Sequence, residues 1–182
     1  ALFNSTAVTT TGGHANLTTG TGAPSATTFD TLIGKMRLQK NLAGRTMNKR
    51  PRIGLFPTPY EQTATSLYVD TEKPGGTNGQ KNLYNGIIKP VVNSRLDLGV
   101  TVKDESAEDG IRTVAGSTVA WYLLGDPMRN AVIKVGFLNG VEAPELRMER
   151  PIGILGSEHQ GVLIFGVAAN EWRFGQKHKG EA

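Results

Sequence analysis

The 182-residue chain carries 20 Lys and Arg against 16 Asp and Glu, a net charge of +4, and no cysteine. That length suits one domain, or one domain with an appendage, and is enough to bury a self-sufficient core. Without cysteine, disulfide scaffolds, zinc ribbons, iron–sulfur sites and thiol catalysis are excluded, and the mild basic excess does not by itself identify a nucleic-acid binder. His14, His159 and His178 have no close spacing that would suggest a metal site. Apolar runs fall far short of the ~20 residues a membrane-spanning helix needs. The opening Ala1-Leu2-Phe3-Asn4 has no basic segment leading into an apolar one, so no signal peptide is expected and a soluble, cytoplasmic chain is. Glycine occurs 23 times, well above its usual ~7%, which predicts many turns between short strands.

Residues 1–29 contain no Asp, Glu, Lys or Arg and are rich in Thr, Gly, Ser and Ala. Such a segment can bury little apolar surface, so residues 1–23 read as an irregular arm or loop. Asn4-Ser5-Thr6 and Asn16-Leu17-Thr18 match a glycosylation acceptor, but without a secretion signal they read as a by-product of Asn and Thr richness. Phe29, Leu32, Ile33 and Met36 then fall on one stripe of a 3.6-residue period, predicting a helix with Thr27 or Thr28 as its cap and Gly44 closing it. Lys35, Arg37, Lys40, Arg45, Lys49, Arg50 and Arg52 follow with no acid among them.

Arg52 to Phe56 reads as a short strand. Thr58-Pro59-Tyr60-Glu61 is a helix start, with Thr58 as cap, Pro59 at the first helical position and Glu61 completing a capping box. Tyr60, Ala64, Leu67 and Tyr68 form that helix's buried face, and residues 73–79 read as a glycine-rich loop. Further strands are expected at 86–92, 118–124, 131–138, 162–169 and 172–174, with Asp126-Pro127 and Asn139-Gly140 as turns. Asp104, Glu105, Glu108 and Asp109 make an acidic loop. Together these features predict a compact α+β domain with two helices packed on a sheet.

The search for chemistry returns little. Gly156-Ser157-Glu158-His159 only superficially resembles a nucleophile elbow and reads as a surface turn. Residues 75–81 fail the phosphate-loop spacing. Glu105/Glu108 and Glu142/Glu145 lack the apolar setting that would separate an acid from a base. Trp121 and Trp172 sit in apolar strand patterns and read as core. The basic run from Lys35 to Arg52 reads either as a solvated face or as a patch meeting phosphates or an acidic neighbour.

The order of segments resembles the C-terminal half of tailed-phage major capsid proteins of the Mu-like major head subunit family. The resemblance rests on Ala1 to Asn4 with Gly13 to Leu17, on Met36 to Arg45, on Arg50-Pro51-Arg52 running into Pro57 to Ala64, and on Val91 to Asp97. It continues through Trp121 to Pro127, Ile133 to Gly140 and the stretch from Gly161 to Ala182. It implies a Hong Kong 97-type capsid fold. An axial domain would span residues 24–140, and residues 141–182 would return to the peripheral domain. The N-terminal arm, extended hairpin and spine helix would be absent, making the chain a fragment or reduced relative of a capsid subunit.

The implied function is structural and non-enzymatic: a major capsid subunit that self-associates into the shell around dsDNA, with no cofactor. It would reside in the virion, after assembly from the bacterial cytoplasm. Its partners would be other copies of itself and, through the seven basic residues, packaged DNA or the acidic segment Asp104, Glu105, Glu108 and Asp109 of a neighbour. The seven are expected mostly exposed on one side, and the isolated chain is expected to be a monomer or weak oligomer. An encapsulin-type cellular shell protein and a small nucleic-acid- or ligand-binding domain are the competing readings.

Overall fold

The computed structural model describes residues 2–7, 14–72, 81–103, 110–150, 152–153 and 155–180. The chain divides into two compact units, residues 1–132 with 171–182, and residues 133–170.

The larger unit is built on a five-stranded mixed sheet. Its strands are β1 (Leu17–Thr21), β2 (Ile53–Phe56), β3 (Lys89–Val92), β6 (Trp121–Leu124) and β11 (Gly175–Gly180), with β4 (Val100–Lys103) and β5 (Ile111–Val114) forming a separate antiparallel pair between β3 and β6 in the chain. The order across the sheet is β1-β11-β6-β2-β3. β1 runs parallel to β11 and β2 parallel to β3, while β6 is antiparallel to both of its neighbours.

Helix α1 (Ala26–Leu38) begins two to three residues earlier than the sequence predicts. Ser25 is its cap: the Ser25 hydroxyl accepts from Thr28 N–H, and the Thr28 hydroxyl reciprocates toward Ser25 N–H. A Thr at the third helical position thus fills the role usually taken by Glu or Gln. The helix ends at Leu38 rather than near Gly44. Extended backbone at Gln39 turns the chain back, and Met47 N–H and Asn48 N–H donate to the carbonyls of Gln39 and Arg37. Gly44, at φ 77°, instead supplies the left-handed position of the Asn41–Arg45 turn.

The expected Thr58 helix start is a 3₁₀ turn (Thr58–Tyr60) leading into α2 (Glu61–Tyr68). Thr58 does not cap it. Its hydroxyl and N–H both donate to the Asp97 carboxylate, in the short helix α3 (Arg95–Leu98). The stripes call the core correctly: Phe29 and Leu32 of α1, Ala64, Leu67 and Tyr68 of α2, Phe56 of β2, Ile88, and Trp121 and Leu123 of β6 pack together. Phe29 stands at its centre, 4.7 Å from Trp121 and edge-on to Tyr68 at 4.6 Å. Ring pairs at such spacings add roughly 0.5–1.5 kcal/mol to burial.

Three expectations are corrected here. The segment 1–23 is not wholly irregular, because Leu17–Thr21 joins the sheet through backbone pairing with Lys177–Gly180, which asks nothing of side-chain hydrophobicity. Residues 172–174 form a 3₁₀ turn, and the strand comes after them as β11. Trp172 is only half-buried, stacked on His14 at 4.3 Å and with the Arg173 guanidinium 4.4 Å from its ring centre.

The unit 133–170 is a β-ribbon, with β7 (Ile133–Phe137) pairing β10 (Phe165–Ala169), and β8 (Glu145–Glu149) pairing β9 (Glu158–Val162) nested between them. The strand expected at 162–169 is split by this arrangement, with the turn at Leu163-Ile164 separating β9 from β10.

Candidate functional site

The structure gathers three of the seven predicted basic residues around one hollow. Arg52 opens β2, where its N–H donates to Leu124 O and its carbonyl accepts from Lys89 N–H, both at 2.8 Å. The preceding residues Asn48 to Pro51 line the same hollow. The β2–β6 pairing, Ile53 opposite Leu124, brings the segment after β6 to the same place. There Asp126 caps α4 (Pro127–Asn130), its carboxylate accepting from Met128 N–H at 3.0 Å.

The result is a hollow of about 480 Å³ lined by Lys49, Arg50, Arg52 and Arg129, with Asp126 as its carboxylate and Phe174 as its apolar wall. Lys49 Nζ lies 5.3 Å from the Phe174 ring centre, in cation–π range. A neighbouring hollow of about 510 Å³ shares Arg52, Ile87 and Asp126 and adds Lys89. The two form a groove with five cations against one carboxylate already engaged as a helix cap. Such a groove attracts phosphate or carboxylate groups by field and by guanidinium forks.

The other four predicted cations lie elsewhere. Lys40 and Arg45 are exposed on the returning loop, while Lys35 and Arg37 are half-buried on α1. Lys35 Nζ donates to the Thr18 hydroxyl at 2.8 Å, and Arg37 Nε is buried without a partner among the described residues. None of the seven pairs with a carboxylate among the described residues. The predicted acidic loop, Asp104, Glu105, Glu108 and Asp109, lies outside the described residues, as does the glycine-rich stretch 73–79; the former falls between β4 and β5. Sequence reasoning missed Lys89 and Arg129. Both are single cations in turn-like or strand-like settings, and only the pairing of β2 with β3 and β6 delivers them to Arg52.

The remaining polar groups are structural. Asn16 is fully buried, so the Asn16-Leu17-Thr18 acceptor pattern is closed to modification; its Nδ2 reaches the carbonyls of Leu2, Trp172 and Gly175 at 3.0–3.1 Å, and its Oδ1 accepts from Asn4 N–H at 2.9 Å. His178 is buried against Trp121, with ring centres 5.2 Å apart, and its Nδ1 accepts from Gly180 N–H at 3.0 Å. Burial, and then the Lys35 charge, hold its pKa below the ordinary value. Burial raises the Tyr68 hydroxyl, and burial with the Asp30 carboxylate pushes Tyr84 up to about 12. Ser157 Oγ lies 3.2 Å from His159 Nε2, but both are exposed on the ribbon, where water competes for every proton. No group of three or more His, Asp or Glu among the described residues could hold a metal, and no helix among them is long and apolar enough to cross a membrane.

A family model described as Phage capsid protein matches residues 1–178, through both compact units. No curated protein and no solved structure matches the chain.

Proposed function

The chain belongs to the phage capsid protein family, and from that premise we propose that it is a major head subunit of a tailed bacteriophage or prophage. The family supports a viral structural protein of the capsid; it is a structural rather than an enzymatic family, and membership implies a place in the virion and association with its own copies. The match across residues 1–178 carries this reading. The sheet-dominated α+β architecture agrees with it.

The finer assignment is a Mu-like subunit of the Hong Kong 97 type, made in the bacterial cytoplasm and built into a shell around dsDNA. In it the sheet unit serves as the axial-type domain. The groove of Lys49, Arg50, Arg52, Lys89 and Arg129 takes a polyanion, for which packaged DNA is the leading occupant and the 104–109 acidic segment of a neighbouring copy the other. A polyphosphate fits better on charge density, since one cap carboxylate leaves nearly all the groove's positive charge uncompensated.

The purified chain is proposed to be a monomer that forms weak, ring-like oligomers at high concentration. Sedimentation and electron microscopy across a concentration series check this. A chain that stays monomeric at millimolar concentration refutes self-association, whereas closed shells refute the limit to weak oligomers.

A further inference from the structure

Antiparallel partners share a face, so the β7–β10 register sorts every side chain of the pair. Phe165 stands opposite Phe137, Val167 opposite Val135 and Ala169 opposite Ile133. These six apolar residues therefore occupy one face, and Lys134, Gly136, Gly166 and Ala168 the other. That alternation is the pattern of a sheet with one buried face. Yet Ile133 is 49% exposed, Val135 52%, Phe165 57% and Val167 61%.

The ribbon's own elements do not solve this. None of the described residues of 133–170 is buried; Phe137 and Val162 come nearest and are only half-covered. A two-stranded ribbon alone is marginal in water, and needs a further layer on its apolar face. The exposed apolar surface of this face is on the order of several hundred Å² per copy, as large as the largest patch a monomer usually shows and a substantial part of one side of a standard interface.

We propose that the Ile133, Val135, Phe137, Phe165, Val167 and Ala169 face is a subunit contact, covered in the assembled state by a second copy of this chain. The inference rests on the capsid reading, which supplies identical copies as partners. The charge pattern agrees: the face carries no ionisable group, so it offers a polyanion nothing to hold, while two such faces can meet without burying an unpaired charge. Lys134 points to the opposite side, where it stays hydrated.

The test is amide hydrogen exchange on the full chain across a concentration series, with sedimentation on Val135→Asp/Val167→Asp and, as a control, Lys134→Glu. Protection at 133–137 and 165–169 should rise with concentration. The double substitution should weaken association at least tenfold, and Lys134→Glu should leave it unchanged. If the chain associates without protecting these strands, or if the double variant associates like the parent, the inference fails and the capsid reading stands. Equal protection at every concentration means that the chain covers its own face, and also overturns it. A control that weakens association as much as the double variant refutes the choice of face. Absence of association at any concentration overturns both proposals.

Discussion

Replacing Asn16 tests whether one carboxamide pins the opening segment to the end of the sheet. Asn16 makes four hydrogen bonds, to Asn4 N–H and to the carbonyls of Leu2, Trp172 and Gly175, from a fully buried position. Not all are lost at full value in Asn16→Ala. The Leu2 carbonyl also has His14 Nε2 at 3.2 Å, and the Trp172 carbonyl also accepts from Gly175 N–H. That leaves Asn4 N–H and the Gly175 carbonyl, each worth about 1–3 kcal/mol when stripped of a partner in a buried setting. The expected destabilisation is about 3 kcal/mol, a large share of the 5–15 kcal/mol typical of a domain.

Denaturant titration followed by tryptophan fluorescence measures it, since Trp121 and Trp172 both report on this region. Asn16→Asp sharpens the test. A carboxylate keeps the bond from Asn4 N–H but sets negative charge against three carbonyl oxygens, so Asp should be worse than Ala at neutral pH. A loss below about 1 kcal/mol for Ala, or an Asp variant more stable than Ala, would refute the hydrogen-bond account.

His178 should make stability pH-dependent. Its folded pKa lies below the ordinary 6.5, so below that pH the unfolded chain binds a proton that the fold resists, and stability falls at up to about 1.4 kcal/mol per pH unit until the folded form also protonates. His178→Gln should flatten that stretch of the stability curve; an unchanged slope removes the argument. Arg52→Gln with Arg129→Gln should lower the slope of log K against log salt for duplex DNA by about 2, one per lost phosphate contact. Binding insensitive to salt, or no binding, eliminates DNA as occupant of the groove. Gly180 sits at φ 79°, and a Cβ there would collide with the Val119 carbonyl oxygen. Gly180→Ala should therefore lose at least about 2 kcal/mol, read as a fall in melting temperature of several degrees; a melt unchanged within error contradicts the backbone described at this position.

What the sequence made legible was whatever buries its own side chains. The 3.6-residue stripes of α1 and α2 and the apolar strands β2 and β6 announce themselves because their burial is local to each element, and β7 does so by its apolar alternation alone. Strands made by backbone pairing alone did not. Leu-Thr-Thr-Gly-Thr of β1 and Gly-Gln-Lys-His-Lys-Gly of β11 have no apolar alternation, and they become strands because each finds the other and β6. The β4–β5 and β8–β9 ladders bury almost nothing, although β4 and β8 alternate apolar with polar residues. The basic groove was half-visible: a run of cations can be read in one dimension, but Lys89 and Arg129 arrive by strand pairing. Ser25 was overlooked because a Thr in the box position is weaker in pattern than a Glu.

The position of β11 between β1 and β6 sets a timetable for the ribosome. β1 is made before the other described strands, yet its sheet partner β11 is made after all of them, and the Asn16 contact to Gly175 closes a separation of 159 residues. Closing a flexible chain of that size costs roughly 4–5 kcal/mol of entropy, repaid only when β11 seats. Contacts so distant in sequence also slow folding. A nascent chain can assemble β2, β3, β6 and their helices first, but β6 keeps one bare edge until residues 175–180 appear, and the ribbon with its apolar face is translated before that edge is sealed. Ribosome-stalled chains ending before Gly175 should accordingly show no amide protection in β1, and a capsid subunit so ordered gains its finished sheet only after the surface proposed to bind its neighbours already exists.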